Sequence, residues 1–112
     1  MAGTVVATNL YVSSYAGTVT SLALTQSSNG SYDLKAVSVN NGSTDNPSWL
    51  TKDENNGIIY LVNEGLTVPN GSIVAFKTSS NGELTEIDRH ETISGPVSSI
   101  VYNGGKALAV AH

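Results

Sequence analysis

Asn46 to Pro96 read NPSWLTKDENNGIIYLVNEGLTVPNGSIVAFKTSSNGELTEIDRHETISGP and carry the clearest pattern in the chain. Four short runs rich in β-branched and aromatic residues alternate here with turns, and such runs favour strands. Three of the turns contain Asn followed by Gly, a hairpin signal because both residues tolerate a positive φ in a type I′ turn. The segment therefore predicts four consecutive antiparallel strands, at residues 48–52, 58–63, 72–78 and 84–90.

The pattern of strands and turns recurs with a period of 49 residues. Leu10-Tyr11-Val12 aligns with Ile59-Tyr60-Leu61, and Pro47 aligns with Pro96. Residues 27–30 and 79–82 both read Ser-Ser-Asn-Gly at a separation of 52, which indicates a slightly longer loop in the second unit. A period in the high forties with four strands per unit is typical of the blades of a β-propeller.

The chain is therefore predicted to be all-β, built from β-propeller blades of four-stranded antiparallel sheets, with about 2.3 blades present. The predicted divisions are an incomplete blade at residues 1–45, a complete blade at 46–94 and the first half of the next blade at 95–112. Val5-Val6 is a continuous apolar pair, as in a strand buried on both faces. Further strands are predicted at residues 9–12, 18–24, 34–39, 97–102 and 107–111.

Two structural alternatives stay open. Residues 83–94 lack Gly and Pro and are the most charged part of the chain, so they could form a helix. The repeat favours a strand there, because it aligns these residues with the strand predicted in the first unit. An immunoglobulin-like or fibronectin-like sandwich would also explain the number of strands, although it would not explain the repeat.

Composition excludes several classes of protein. The 112 residues include no Cys, which excludes disulfide scaffolds, thiolate zinc sites and cysteine nucleophiles. The net charge of -4 argues against a nucleic-acid partner, which would require a basic patch. No apolar run approaches the roughly 18 residues of a membrane span, and the first residues do not form a signal peptide. The expected location is the cytoplasm, with secretion as the alternative if a leader was removed.

The order and spacing of these segments resemble the seven-bladed β-propeller lactonase family. That family includes 6-phosphogluconolactonases and fungal 3-carboxy-cis,cis-muconate cyclases. The resemblance rests mainly on residues 46–53, 59–64, 71–76 and 82–84, and it extends from about residue 9 to residue 112. Residues 95–97 and 108–112 are most similar to the fungal cyclase branch. Because seven units of this period need about 343 residues, the resemblance implies an N-terminal fragment of such an enzyme.

Glu64 and His112 are the weak candidates for catalytic residues. Both lie at or just beyond the end of the second strand of a unit, because Asn63 aligns with His112. In a propeller, the loops at one end of the blades surround the channel mouth where ligands bind. A carboxylate and an imidazole there suit proton transfer in lactone opening or closure. The simpler interpretation, which the residue types favour, is that Glu64 is a turn residue and His112 belongs to a frayed terminus.

The resemblance implies further properties of the site. It implies a catalytic His with Arg and Glu partners drawn mainly from later blades, and it implies no cofactor or metal. No position of this chain can be matched to those residues. Arg89 is expected on the solvated outer strand, Trp49 and Tyr60 in the core between blades, and residues 53–56 in an acidic hairpin turn.

The resemblance implies that the parent enzyme acts on lactone rings of small carboxylated substrates, and the isolated chain is expected to be inactive. The alternative is a non-catalytic, self-assembling β module, an oligomer or a filament. Its open strand edges would pair with those of other copies. Neither interpretation predicts a nucleic-acid or membrane partner.

Overall fold

The computed structural model describes residues 7–42 and 46–112. These residues form nine β-strands and one short 3-10 turn, Asn103–Gly105, and they contain no α-helix. The predicted strand at Val5-Val6 and the predicted blade boundary at residue 45 lie outside the described residues. The strands are β1 (Ala7–Ser14), β2 (Thr18–Gln26), β3 (Tyr32–Asn40), β4 (Pro47–Asp53), β5 (Ile58–Asn63), β6 (Gly71–Thr78), β7 (Leu84–Thr92), β8 (Ser98–Tyr102) and β9 (Ala107–Ala111).

The strands form three antiparallel sheets in chain order. Sheet 1 is β1-β2-β3, sheet 2 is β4-β5-β6-β7 and sheet 3 is β8-β9. This arrangement confirms the prediction of an all-β chain built from propeller-type sheets. The helical alternative for residues 83–94 is wrong, because β7 pairs with β6 over its length. The sandwich alternative is wrong too, because three sheets follow one another through contacts of β1 with β4 and of β4 with β8.

Two hairpin turns repeat the same hydrogen bonds 52 residues apart. In each, a glycine with a positive φ, +88° at Gly30 and +87° at Gly82, donates its N–H to a serine carbonyl three residues earlier. The Asn29 and Asn81 side chains each accept the backbone N–H two residues further on, at 3.0 and 3.2 Å. The expected type I′ geometry is absent at both turns, because the Asn lies outside the positive-φ region and stabilises the turn through its side chain.

The hydrophobic core lies between sheets 1 and 2. Val19 of β2 packs with Leu61, Val74 and Phe76 of sheet 2, and all four side chains are fully buried. Complete burial of such a side chain contributes about 1.5–3 kcal/mol, so this cluster is the main attachment between the two sheets. Three partly buried side chains surround the cluster: Tyr11, Leu50 and Leu84.

Sheet 3 is joined to sheet 2 by a polar contact at Ser99. Thr51 Oγ1 donates to the Ser99 carbonyl at 2.9 Å, and Trp49 Nε1 donates to the same carbonyl at 3.2 Å. Trp49 was expected in the core between blades, but this expectation is wrong for the described chain, since Trp49 is 45% exposed. The reason is that its indole N–H takes hydrogen-bond partners at the rim of the junction, where the ring remains in contact with solvent.

A second junction between sheets 2 and 3 is formed by their turns. Asp53 is 2% exposed, and its carboxylate accepts the Asn55 N–H at 3.1 Å and the Asn56 Nδ2 at 2.7 Å. These residues form the hairpin turn predicted at 53–56. Gly105, with φ 83°, lies so close that a Cβ atom there would overlap the Asp53 carboxylate and the Asn56 amide. Gly104, with φ 63°, has open space at the corresponding position.

Replacement of Gly105 by Ala is expected to destabilise the fold more than replacement of Gly104 by Ala. Both variants place a Cβ in the left-handed region, at a cost of about 1–2 kcal/mol. Only Gly105→Ala adds an overlap with the buried Asp53 turn, which costs about 1–3 kcal/mol more. Urea unfolding followed by far-ultraviolet circular dichroism measures both losses. Equal unfolding midpoints for the two variants would contradict the packing of Gly105 against Asp53.

Candidate functional site

Three residues that can carry chemistry follow the second strands of the repeat units. Tyr15 follows β1, Glu64 follows β5 and His112 follows β9. These strands occupy corresponding places in the 49-residue repeat, so the three residues lie at one end of the sheets. We call this end, defined by Tyr15, Glu64 and His112, the mouth end.

Tyr15 and Glu64 contact each other across sheets 1 and 2. The Tyr15 hydroxyl donates to Glu64 Oε1 at 2.7 Å, and the two residues are 49 positions apart. Equivalent positions of consecutive repeat units therefore meet at the mouth end. Tyr15 is 56% exposed and Glu64 is partly buried, so the carboxylate stays accessible from solvent.

The backbone of Glu64 is held by the starts of two first strands. Its N–H donates to the carbonyl of Asn46, just before β4, at 3.1 Å, and its carbonyl accepts the N–H of Gly95, shortly before β8, at 2.9 Å. The following residue, Gly65, has φ 68°, and a Cβ atom there would overlap the carbonyl of Asn70. The position of Glu64 is therefore fixed by sheets 2 and 3, while its side chain is oriented by sheet 1.

The hydrogen bond to Glu64 raises the pKa of the Tyr15 phenol above its ordinary value. Partial desolvation and the negative charge of Glu64 add to this effect. The phenol therefore stays protonated at neutral pH and continues to donate to Glu64 Oε1. Within residues 7–42 and 46–112, the other carboxylate oxygen, Oε2, makes no hydrogen bond. One oxygen is thus oriented and the other is available to a ligand or to water.

Asn63, the residue before Glu64, is a buried polar group at the mouth end. It is 1% exposed, and its Nδ2 donates to Ser72 Oγ at 3.0 Å. Its Oδ1 accepts no hydrogen bond in the described part of the chain, and neither does the buried Ser48 Oγ partner any group there. Buried polar atoms are usually hydrogen-bonded, so this amide is an unusual feature of the floor of the site.

The structure does not join the two predicted site residues. His112 is exposed, and across the described residues no hydrogen bond or ion pair links it to Glu64. The partner that Glu64 does have, Tyr15, was not singled out by the sequence reasoning. A signal existed in the repeat, because Tyr15 and Glu64 are separated by one full period.

Arg89 serves a structural role on the outer strand. Its Nε and Nη2 donate to the two carboxylate oxygens of Glu86 at 3.0 and 2.9 Å, and Nη2 also donates to the Gly42 carbonyl at 2.8 Å. The Arg89 guanidinium lowers the pKa of Glu86 below its ordinary value, against a smaller opposing effect of desolvation. Arg89 therefore connects β7 to the segment after β3. It also borders an open cavity of about 340 Å³ beside residues 68–72, which includes neither Glu64 nor His112.

Two further classes of site were examined by geometry. In the described part of the chain, no group of three or more His, Asp or Glu side chains has an arrangement that could hold a metal ion. No helix among the described residues is long and apolar enough to cross a membrane.

The fold and the site define a class: propeller-type antiparallel sheets with a polar site where the second strands end. The family model described as lactonase, seven-bladed β-propeller, matches residues 9–112. The chain belongs to this seven-bladed β-propeller lactonase family. No curated protein and no solved structure gives a significant match to it.

The variant Glu64→Gln is expected to lower the pKa of Tyr15 toward its ordinary value, because both the charged acceptor and the nearby negative charge are removed. Ultraviolet absorbance titration of the phenolates measures this shift, and a parallel titration of Tyr15→Phe identifies the signal of Tyr15 among the five tyrosines. The matched control is Glu54→Gln, which removes an exposed carboxylate paired with Lys52. Identical titrations for wild type and Glu64→Gln would contradict the contact.

The same contact predicts a stability change at high pH. Since the folded-state pKa of Tyr15 is raised, its contribution is complete below the ordinary pKa of 10.0 and is lost as the pH rises through the folded-state value. The difference in unfolding midpoint between wild type and Tyr15→Phe should therefore shrink above that pH. A difference that stays constant into strong alkali would argue against the assignment.

Proposed function

We propose that this chain is part of an enzyme that opens or closes the lactone ring of a small carboxylated substrate. Membership of the lactonase propeller family supports the ring chemistry. The similarity of residues 95–97 and 108–112 to the fungal cyclase branch supports a carboxymuconate-type substrate, with a 6-phosphogluconolactone-type substrate as the alternative within the family. Function rests here on family membership and on one site, because a fold alone supports many activities.

The observation that carries the proposal is the hydrogen bond from Tyr15 to Glu64 at 2.7 Å. It orients a solvent-accessible carboxylate at the end of the sheets where the repeat brings equivalent loops together. A positioned carboxylate is a suitable general base, since a base must lie within hydrogen-bond reach of the proton that it removes. The neutral Tyr15 donor keeps Oε1 engaged, so Oε2 faces the reacting group.

In the direction of ring opening, Glu64 Oε2 accepts a proton from water while the water oxygen forms a bond to the lactone carbonyl carbon. The tetrahedral intermediate then collapses, and the ring C–O bond breaks. The departing alkoxide recovers the proton from the Glu64 carboxylic acid, so the carboxylate is regenerated and a hydroxy acid is released. Ring closure follows the same path in reverse.

The isolated chain should turn over its substrate slowly. The described residues form sheets of three, four and two strands, whereas the family is characterised by seven blades. The resemblance places the catalytic His and Arg of the family mainly in later blades. A carboxylated substrate therefore lacks its cationic partners in this chain, and only the Glu64 contribution remains.

Hydrolysis of 6-phosphogluconolactone and of a carboxymuconolactone by the 112-residue chain tests the proposal. We expect a rate above that of buffer but far below that of a complete seven-bladed enzyme assayed in parallel. Glu64→Gln should reduce the excess rate about 100-fold or more, as expected for the loss of a general base. Tyr15→Phe should reduce it less, because the base is retained but loses its orientation.

The control variant is again Glu54→Gln, whose carboxylate lies in the turn at the opposite end of β5. Its rate should equal that of wild type. A rate indistinguishable from buffer with both lactones, or equal losses in Glu64→Gln and Glu54→Gln, would overturn the proposal. Turnover by the wild-type chain equal to that of the complete enzyme would contradict the expected weakness of the isolated chain.

A further inference from the structure

Sheet 1 exposes an apolar face on the side away from sheet 2. Side chains alternate between the two faces of a strand, and Val19 and Tyr11 point toward sheet 2. The neighbouring residues therefore point the opposite way, and the strand register places them side by side, with Leu10 opposite Leu22 and Leu24 opposite Leu34. We call this surface the rear face of sheet 1. Its apolar members are Leu10, Val12, Leu22, Leu24, Leu34, Ala36 and Val39.

The repeat shows what normally covers such a face. Ile59 and Leu61 of sheet 2 occupy the repeat positions of Leu10 and Val12. Ile59 is 2% exposed and Leu61 is 0% exposed, because sheet 1 packs over the rear of sheet 2. Leu10 is 39% exposed and Val12 is 51% exposed. The same positions are thus buried where another sheet precedes them and exposed on sheet 1.

Sheet 3 exposes the complementary kind of face. Ser99 is buried against sheet 2, so its neighbours Ile100 and Ser98 point away from sheet 2. Ile100 is 63% exposed and Tyr102 is 54% exposed, and Ile100 pairs with Ala109 on β9. We call this surface the front face of sheet 3. Its members are Ser98, Ile100, Tyr102, Ala107, Ala109 and Ala111.

We propose that the front face of sheet 3 in one copy of this chain docks onto the rear face of sheet 1 in a second copy. The contact repeats, between copies, the arrangement that joins sheet 1 to sheet 2 within the chain. In both cases the front of one unit covers the rear of the next. An open cavity of about 370 Å³ beside Trp49 and Ile100 provides room for an aliphatic side chain.

The charge distribution supports a second copy as the occupant. Neither face contains a charged residue, although the chain carries a net charge of -4. The faces therefore meet without burying an unpaired charge, which would be costly. A basic partner would instead favour the charged outer strand β7. The contact uses two different surfaces, so it is head-to-tail and continues until a ring closes or a filament grows.

Face packing differs from the pairing of open strand edges considered from the sequence. Edge pairing depends on backbone N–H and C=O groups and tolerates changes of exposed side chains. Face packing depends on apolar side chains and should be abolished by one buried charge. The two modes of association are therefore distinguished by substitutions that leave the backbone unchanged.

Size-exclusion chromatography with light scattering, over a range of concentrations, tests the proposal. The wild-type chain should exceed its monomer mass of 11.6 kDa increasingly with concentration. Leu34→Asp on the rear face and Ile100→Lys on the front face should each be monomeric, because every contact in a uniform sample then carries the change. Circular dichroism checks folding, and Val12→Asp provides a second rear-face variant. The matched control is Ile87→Asp, since Ile87 is 51% exposed on sheet 2.

Mixing the two monomeric variants provides the decisive measurement. The Leu34→Asp chain retains an intact front face, and the Ile100→Lys chain retains an intact rear face. The mixture should therefore form a one-to-one complex, while neither variant associates alone. A wild-type chain that stays monomeric at every concentration would overturn the proposal. Association that survives in both variants would also overturn it and would indicate edge pairing.

Discussion

The packing of the front of one sheet against the rear of the next is the contact on which the rest of the structure depends. A two-stranded sheet such as sheet 3 is marginal in water by itself, and a third strand adds only part of what is required. Burial of Val19 among Leu61, Val74 and Phe76 attaches sheet 1, and the hydrogen bonds of Ser99 attach sheet 3. One junction is apolar and the other largely polar, so the two should respond differently to temperature and denaturant.

The candidate site is a consequence of that packing. Tyr15 belongs to the end of sheet 1, while the backbone of Glu64 is held by residues that begin β4 and precede β8. No single sheet contains the site, so loss of either junction would separate the hydroxyl from the carboxylate or release the Glu64 backbone. The buried amide of Asn63 lies directly behind, where its side chain is held by Ser72. Stability of the sheet junctions and chemistry at the mouth end are therefore coupled.

Much of the fold was predictable because its signals are local. Asn-Gly turns, β-rich runs and a 49-residue period located all the described strands and excluded a helix at β7. The turn type was not predictable, since Asn29 and Asn81 stabilise their turns through side-chain acceptors rather than through a positive φ. Trp49 was misplaced for a similar reason, because hydrophobicity predicts burial whereas its indole N–H is satisfied at a rim.

From the residues alone follow the all-β class, the repeat and the end of the sheets at which Glu64 and His112 lie, because these depend on spacing along the chain. The choice of Tyr15 rather than His112 as the partner of Glu64 belongs to the folded molecule. It arises because consecutive sheets pack with equivalent positions adjacent, which places residue 15 beside residue 64 across the junction. Such a contact depends on the angle and distance between sheets, and these are set by the side chains that fill the space between them.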